Sequence, residues 1–263
     1  MFKFCSLYSG SSGNCSLIQS DYTKILIDAG ESCKKISTAL TSINVDPNEI
    51  DGILITHEHS DHIKGIATLS KKYDIPIFAN KETWDAMKSE KEKISENNIS
   101  YFNINKKFSI NDLEILAFPI PHDAANPCGF NVFHNNTKLS VATDIGHMTS
   151  SIVNSLANSS FLMLEANYDP KVLQCSPYPY SLKQRIAGPN GHLSNDMAGQ
   201  TISYLSKFGL KTAMLGHLSK ENNFPELAYK TVVEQLMQNN IDENSLRLSV
   251  ATRLGVSSII DVG

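Results

Sequence analysis

The sequence predicts an α/β (α+β) fold in which two sheets pack face to face and helices cover both outer faces, a four-layer αββα sandwich. Short apolar segments of strand type recur throughout the chain, and segments with helical periodicity alternate with them. No repeat, low-complexity tract or Pro/Gly-rich linker divides the 263 residues, so we expect residues 1–263 to form one domain. Periodicity is compatible with this layering, and the motifs described below select it.

Each predicted element has a local signal. Six apolar segments have the length of strands and end near a polar or titratable residue, namely 24–27, 52–55, 75–78, 113–116, 161–164 and 212–215. Segments 129–133 and 138–141 flank a turn-forming His-Asn-Asn-Thr, which predicts a hairpin. Helical periodicity fits 33–41, 63–72, 196–207 and 225–239, whereas the charged segment 88–98 is expected to be a solvated helix or loop.

Composition and charge limit the class of function. The chain is 41% hydrophobic and 19% charged, as in globular proteins. Its net charge of −4 provides no overall basic field, so nucleic-acid binding would need a local patch or bound cations. The five cysteines are widely spaced without C-x-x-C, and the sequence has neither a signal peptide nor a run of ~18 apolar residues. We therefore expect a cytoplasmic protein that is neither secreted nor embedded in a membrane.

Four side chains of metal-ligand type lie within six residues in the segment THEHSDH, residues 56–62. His57 and His59 are two positions apart and can reach one ion from an extended loop. Asp61 and His62, further round the turn, can reach a second ion about 3.5 to 4 Å away. A lone histidine is more often a surface or hydrogen-bonded core residue, but H-x-H-x-D-H indicates a metal site. One loop can thus serve two metals.

Further ligand-type residues follow apolar segments downstream. His122 follows FPIP at 118–121, Asp144 follows SVAT at 140–143, and His217 follows MLG at 214–216. We expect these three side chains to join the 56–62 loop around a pair of divalent ions, which would be the cofactors of the protein.

The order of these motifs resembles the metallo-β-lactamase superfamily, from Asp28 to His217. The resemblance implies that the four-layer fold is the metallo-β-lactamase sandwich. It also implies that His57, His59 and His122 bind the first metal, that Asp61, His62 and His217 bind the second, and that Asp144 bridges them. Asp28, in ILIDAG at 25–30, would orient and polarise a ligand histidine; a solvated turn acid is the alternative.

Details of the ligand set narrow the chemistry that the resemblance implies. Many true β-lactamases have a cysteine where Asp144 stands, and a carboxylate there is similar to the nuclease, thioesterase and lactonase branches. His59 disfavours the flavodiiron branch, whose motif resembles H-x-E-x-D, and with it a redox di-iron role. Asp144 and His217 are 73 positions apart, too few for the cap domain of the β-CASP nucleases. We expect no β-CASP insertion and a comparatively open metal face.

A histidine and a glutamate favour phosphodiester chemistry. The segment HLS at 192–194 resembles the ribonuclease Z arrangement, in which a histidine oriented by a glutamate donates a proton to the leaving oxygen. Glu165, at the end of FLMLE, matches that glutamate. A buried hydrogen bond from His192 to Glu165 would keep the imidazole protonated near neutral pH. The alternative for His192 is a loop or helix-cap residue.

The closer resemblance is to the small single-domain YycJ/WalJ-type bacterial proteins, a 5′→3′ exonuclease-like branch. It rests on YSGSSGNC at 8–15, GHLSN at 191–195 and GHLSKENN at 216–223, and so covers nearly the whole chain. It implies a nuclease whose metal-activated hydroxide attacks DNA or RNA, as a single strand or at a 5′ end. Asp61 would help hold the nucleophile and His192, with Glu165, would assist departure of the 3′ oxygen, so these three are the predicted catalytic residues.

Two segments are candidates for substrate contact. Residues 168–185 form a predicted Pro-rich loop that combines rings for stacking on bases with cations for phosphates; an ordinary surface loop is the alternative. The Gly-punctuated turn at 9–14 offers hydrogen-bond donors for phosphate oxygens, although such turns are more often tight connections. The predicted substrate-binding residues are Ser9, Ser11, Ser12, Asn14, Tyr178, Tyr180, Lys183 and Arg185.

Two other classes of function stay open. The same metal cage activates water for acyl centres, so a hydrolase of small thioesters, lactones or cyclic phosphodiesters is the main alternative. A non-catalytic module that docks nucleic acid or a repair partner is the second, but the complete ligand set disfavours it. Mixed His/Asp cages accept zinc, manganese and iron, and the sequence leaves the metal and the choice between monomer and dimer open.

Overall fold

The computed structural model describes residues 1–242 and 245–262. Within these residues, two seven-stranded sheets have the orders β14-β1-β2-β3-β4-β5-β6 and β13-β12-β11-β10-β9-β8-β7. The strands are β1 (Lys3–Tyr8), β2 (Cys15–Gln19), β3 (Lys24–Ile27), β4 (Gly52–Leu54), β5 (Ile77–Ala79), β6 (Ile99–Tyr101), β7 (Lys107–Ile110), β8 (Leu113–Pro119), β9 (Cys128–His134), β10 (Thr137–Ala142), β11 (Phe161–Glu165), β12 (Thr212–Gly216), β13 (Arg247–Val250) and β14 (Ile260–Asp261).

Several helices begin at side chains that cap their first turn. Ser32, Asn80, Thr149 and Ser194 each accept a hydrogen bond from the backbone N–H three residues later. The helices are α1 (Cys33–Ser42), α2 (Ser60–Ile63), α3 (Ile66–Tyr73), α4 (Lys81–Ala86), α5 (Lys88–Lys91), α6 (Ser150–Leu156), α7 (Pro170–Cys175), α8 (Tyr180–Ile186), α9 (Asn195–Ser206) and α10 (Pro225–Gln238). None of the described helices is long and apolar enough to cross a membrane.

Three clusters of buried hydrophobic side chains lie between the four layers of the sandwich. Between the sheets, Phe4 of β1 packs on Phe161 of β11 with ring centroids 4.5 Å apart. On the outer face of the first sheet, Ile53 lies in a cluster with Ile36 of α1. On the outer face of the second sheet, Leu162 lies in a cluster with residues of α6, α9 and α10. Phe161 and Leu162 face opposite clusters because side chains alternate along a strand. The predicted αββα sandwich is confirmed.

Parallel pairing brings the ends of several strands to one edge of the sandwich. Strands β3 to β6 run parallel to one another in the first sheet, as do β10 to β13 in the second. Asp28 follows β3, Asp144 follows β10 by two residues, Glu165 ends β11 and His217 follows β12. The predicted site residues therefore lie where the carboxyl ends of these strands meet.

Three predicted elements differ from the structure. The helix expected at 63–72 is split into α2 and α3 near Gly65, where a Cβ would lie 2.4 Å from Glu31 O. The segment 168–185, predicted as a Pro-rich loop, contains α7 and α8, because Asp169 caps α7 and Pro170 fits its first turn. The hairpin turn is shorter than expected, since His134 pairs with Thr137.

Candidate metal centre

The loop between β4 and α3 brings His57 and His59 together with His122 from the segment after β8. The ring centroid of His57 lies 4.6 Å from that of His59 and 5.0 Å from that of His122. One ligand atom of each residue lies within 4.8 Å of the others. His57 and His122 are buried, whereas His59 is half-buried at the edge of the cavity. The three predicted ligands of the first metal thus form one cluster.

A second cluster contains Asp61, His62 and His217. Asp61 Oδ2 lies 3.5 Å from His62 Nε2 and 3.6 Å from His217 Nε2. Asp144 stands between the clusters, because its Oδ2 lies 3.3 Å from His62 Nε2 and its Oδ1 lies 3.7 Å from His122 Nε2. The structure therefore brings all seven predicted ligands together, with Asp144 where a bridging carboxylate would stand.

Buried polar atoms without partners mark this centre as a cation site. His57 Nε2, His122 Nε2, Asp144 Oδ2 and His217 Nε2 are buried and have no hydrogen-bond partner among the described residues. Leaving such an atom unsatisfied costs about 1–3 kcal/mol. Imidazole nitrogens and carboxylate oxygens are donors that divalent transition metals bind well. The residues present therefore fit a divalent metal.

Asp28 orients His62, one of the predicted metal ligands. Its carboxylate accepts hydrogen bonds from His62 Nδ1 at 2.7 Å, from Thr56 N at 2.9 Å and from Thr56 Oγ1 at 2.9 Å. A proton on Nδ1 of His62 leaves the lone pair of Nε2 facing Asp61 and Asp144. Asp28 is only 2% exposed, which rules out the alternative of a solvated turn acid.

Three residues of the candidate site adopt the left-handed backbone conformation. The φ angles of Asp28, Asp144 and His217 are 61°, 60° and 54°. A residue other than glycine in this region costs of order 1–3 kcal/mol and is held there by its surroundings. Ser9 supplies part of that restraint at His217, since Ser9 Oγ accepts a hydrogen bond from His217 N at 2.8 Å. Two predicted ligands, Asp144 and His217, and Asp28 beside them are thus held in this conformation by their surroundings.

Glu165 joins His192 to the metal centre. Its Oε1 accepts hydrogen bonds from His192 Nδ1 and from His217 Nδ1, both at 2.8 Å, and its Oε2 accepts from Ile145 N and Leu193 N. These two histidines, Glu165 and Asp144 also lie close enough together to hold a metal ion. The Nδ1 atoms of both histidines are, however, already engaged in hydrogen bonds to Glu165. Glu165 thus holds His192 in a fixed orientation beside the predicted ligands.

The charges of this pair are mutually stabilised. Burial lowers the pKa of His192, but the adjacent Glu165 carboxylate outweighs it and raises the pKa above the ordinary 6.5. Burial raises the pKa of Glu165, yet His192 and His217 hold it below its usual range. His57 behaves in the opposite way, because burial and the neighbouring histidines lower its pKa well below 6.5. A neutral His57 is the form that binds a metal.

The centre opens into a cavity of about 270 Å³. Of the predicted substrate-binding residues, Ser11, Tyr178 and Arg185 line it. The sequence did not indicate Asp123, which also lines it and accepts hydrogen bonds from Arg185 at 2.7 Å. Its position directly after His122 in the sequence could have indicated that it lies at the site. Asn167 and Ser219 complete the polar part of the lining.

Other predicted substrate-binding residues have different contacts. Ser9 is buried against His217, as described, and Asn14 is buried with its Nδ2 at 3.1 Å from His62 Nε2 and 3.4 Å from Asp61 Oδ2. Neither residue lines the cavity, and each contacts a predicted metal ligand instead. Lys183 Nζ donates to Gln174 O at 2.7 Å, and Tyr180 OH accepts from Gln184 at 2.9 Å. Ser12 is exposed in the turn.

Gly30 is a further functional position that ligand spacing did not reveal. An added Cβ would lie 1.6 Å from Asp61 O and 2.7 Å from Asn14 N, so Gly30→Ala must displace the loop that carries Asp61. We expect this variant to bind divalent metal about 10- to 100-fold more weakly and to lose about 1–3 kcal/mol of stability. Metal titration and thermal melting measure the two effects.

Gly209→Ala is the control for this prediction. Gly209 has a φ of +91° but no atom within 4 Å of an added Cβ, so alanine there strains the backbone without a collision. Its metal affinity should equal that of the unaltered protein. Equal metal affinity in Gly30→Ala would contradict the proposed steric support of Asp61.

The four-layer sandwich and the clustered histidines and aspartates at its edge define a metallohydrolase of the metallo-β-lactamase fold. Residues 23–218 match the model of the β-lactamase superfamily domain. The chain belongs to this superfamily, as the motif order predicted.

Two bacterial proteins are similar over most of the chain. Exodeoxyribonuclease WalJ of Streptococcus pneumoniae is 39% identical over 239 residues, which are 90% of this chain and 89% of the relative. Exodeoxyribonuclease YycJ of Bacillus anthracis is 36% identical over 233 residues, 89% and 88% of the two chains. The crystal structure of YhfI from Bacillus subtilis, a metallo-β-lactamase fold protein, has a TM-score of 0.72 at 14% identity and covers 98% of this chain and 100% of its own. The predicted resemblance to the YycJ/WalJ branch is confirmed.

Proposed function

We propose that this protein is a metal-dependent exodeoxyribonuclease that hydrolyses phosphodiester bonds from the 5′ end of a single strand. The observation that carries the proposal is the 2.8 Å hydrogen bond between His192 Nδ1 and Glu165 Oε1 beside the metal centre. It provides a proton donor suited to an alkoxide leaving group. The names of the two relatives, exodeoxyribonucleases WalJ and YycJ, support DNA as the polymer.

Two divalent ions would be held by the seven clustered side chains. We assign the first ion to His57, His59 and His122, the second to Asp61, His62 and His217, and the bridge to Asp144. When bound, such ions activate water as a nucleophile near neutral pH and neutralise charge that develops on phosphate. Zinc and manganese suit this mixed set of donors, and iron is compatible with it.

The chain's own residues orient the substrate and move the proton. His192 Nδ1 is engaged by Glu165, so Nε2 is the atom that can donate a proton to the leaving 3′ oxygen. Its side chain is 23% exposed and lines the cavity. Glu165 is buried and reaches the substrate only through His192, which makes it a positioning residue. Asp61 lines the same cavity and helps to hold the attacking group in place.

The cavity lining suits the end of a nucleic-acid strand. We assign the Tyr178 ring to stacking on a base, and Ser11 and Arg185 to phosphate oxygens. Arg185 is paired with Asp123, so a phosphate must compete with that carboxylate for the guanidinium. Ser12, Tyr180 and Lys183, at the periphery, contribute to the path of the strand.

A substrate panel tests the proposed function. A single-stranded oligodeoxynucleotide with a 5′ phosphate and a 3′ fluorophore should give a ladder of shortened labelled strands and free mononucleotides. The same preparation is incubated with the corresponding RNA, a thioester panel and a lactone panel. Turnover of thioesters or lactones with no release of nucleotides would end the proposal.

Removal of metal should both inactivate and destabilise the protein. A metal present at 1,000 times its Kd contributes about 4 kcal/mol to stability, so chelation should lower the Tm by about 10 °C. The reason is that the buried imidazole and carboxylate atoms lose the cation that satisfies them. Differential scanning calorimetry and the nuclease assay, repeated after zinc, manganese or iron is restored, measure this. An unchanged Tm after verified metal loss would contradict the assigned centre.

We further infer that the protein acts in the cytoplasm. All five cysteines (Cys5, Cys15, Cys33, Cys128 and Cys175) are free thiols, and all except Cys175 are buried. Free thiols are typical of a reducing compartment.

A further inference from the structure

Arg253 lies at the same edge of the second sheet as the metal centre. Strand β13 runs parallel to β12, with Val250 beside Leu215, and Ala251 N donates to Leu215 O at 2.8 Å. Strand β13 therefore ends three residues before Arg253, at the level where β12 ends next to His217. Arg253 is outside the residues, 23–218, that match the superfamily domain.

The guanidinium of Arg253 packs on the loop that supports His217. An added Cβ on Gly10 would lie 2.9 Å from Arg253 Nη1, so the absence of a side chain there admits the guanidinium. Arg253 Nη2 donates to Leu218 O. Gly10 follows Ser9, which accepts the hydrogen bond from His217 N. The cation is thus held between two segments that adjoin a metal ligand.

The charge of Arg253 is not balanced by an adjacent carboxylate. Among residues 1–242 and 245–262, no carboxylate oxygen lies within 4.0 Å of its guanidinium. Glu221 acts on it from further away and lies 3.8 Å from Lys220 instead. A guanidinium has five N–H donors, and the hydrogen bond to Leu218 O occupies one of them. The remaining donors can bind an anion.

We propose that Arg253 forms a second phosphate-binding site, which holds a phosphate of the nucleic-acid strand next to the bond that is cleaved. Ser11 follows Gly10 and Ser219 follows Leu218, and both serines line the catalytic cavity, so the two segments that contact Arg253 continue into the cavity lining. The planar guanidinium matches two phosphate oxygens of a phosphodiester. This inference rests on the proposed nuclease function.

The test compares Arg253→Gln with Arg247→Gln. Arg247 is exposed and starts β13, at the end of the strand away from the metal centre, so both variants lose one charge but only one alters the site. The substrates are a 5′-phosphorylated single strand and bis(p-nitrophenyl) phosphate, which has a single phosphate. Arg253→Gln should lower the ratio of kcat/KM for the strand to kcat/KM for the small diester about tenfold, chiefly through KM.

Salt dependence provides an independent readout. Loss of one phosphate contact should reduce the slope of log KM for the strand against log salt by about 0.7, whereas Arg247→Gln should retain the slope. Arg253→Lys keeps the charge without the planar fork, and its KM should fall between those of the unaltered protein and Arg253→Gln. This variant also serves if the glutamine variant does not fold.

Several outcomes would overturn the phosphate site. An unchanged kcat/KM ratio or an unchanged salt slope in Arg253→Gln would do so. Equal decreases in Arg253→Gln and Arg247→Gln would also do so, because they would show an effect of net charge instead of a specific contact. If the unaltered protein hydrolyses neither substrate, the proposed function itself has failed. In that case, the Kd for a fluorescent strand, measured by anisotropy, tests the phosphate contact of Arg253 on its own. Equal Kd values for Arg253→Gln and Arg247→Gln would reject that contact.

Discussion

Replacing Asp61 with alanine should lower kcat/KM for a phosphodiester by at least about a thousandfold. Asp61 Oδ2 lies 3.5 Å from His62 Nε2 and 3.6 Å from His217 Nε2, so alanine removes one of the donors assigned to the second metal. Elemental analysis of the purified variant should find about one metal ion fewer per chain than in the unaltered protein.

Asp21→Ala is the matched control for this change. Asp21 lies in the turn before β3, at the opposite end of that strand from Asp28, and pairs with the N-terminal amine. Its metal content and turnover should equal those of the unaltered protein. An Asp61→Ala variant that keeps both metals but loses activity would move Asp61 from the metal to the substrate. Full activity with fewer metals would contradict a dinuclear centre.

The chemistry of the site was predictable because its ligands stand in local patterns. H-x-H-x-D-H places four donors in one loop, and Asp144 and His217 each follow an apolar strand. Strands that run parallel present their carboxyl ends at the same edge, so the strand ends indicate which side chains converge. Glu165, which ends a buried strand, was identified by its resemblance to the glutamate of the ribonuclease Z arrangement. Its second hydrogen bond, from His217 Nδ1, was not predicted.

The supporting contacts were not predictable because they join distant parts of the chain. Ser9 reaches His217 across 208 positions, and β1 pairs with β14 at the other end of the sequence. The steric role of Gly30 depends on Asp61 O lying against it, which no local periodicity encodes. The short helices α7 and α8 were not predicted, because a helix of six or seven residues spans fewer than two full turns. Periodicity needs a longer window.

The His192→Ala variant should turn over DNA about 10²- to 10⁴-fold more slowly while retaining its metals. His192 Nδ1 is bound to Glu165, and the imidazole stands beside the ligands without belonging to either of the two assigned clusters. Removing the ring therefore removes a proton donor and leaves the cation site intact. Single-turnover kinetics and elemental analysis separate these effects. Equal metal loss in His192→Ala and Asp61→Ala would make His192 a ligand instead.

The pH profile distinguishes a proton donor from a structural histidine. Glu165 raises the pKa of His192 above 6.5 against the effect of burial, so the protonated donor persists above that pH and is lost as pH rises through the raised pKa. Activity of the unaltered protein should therefore decline on the alkaline side, and this limb should be missing from His192→Ala. Glu165→Gln should move the limb to lower pH, because the amide supplies no negative charge to retain the proton. If the alkaline decline is unchanged in both variants, another group is responsible for it, and His192 is not the proton donor to the 3′ oxygen.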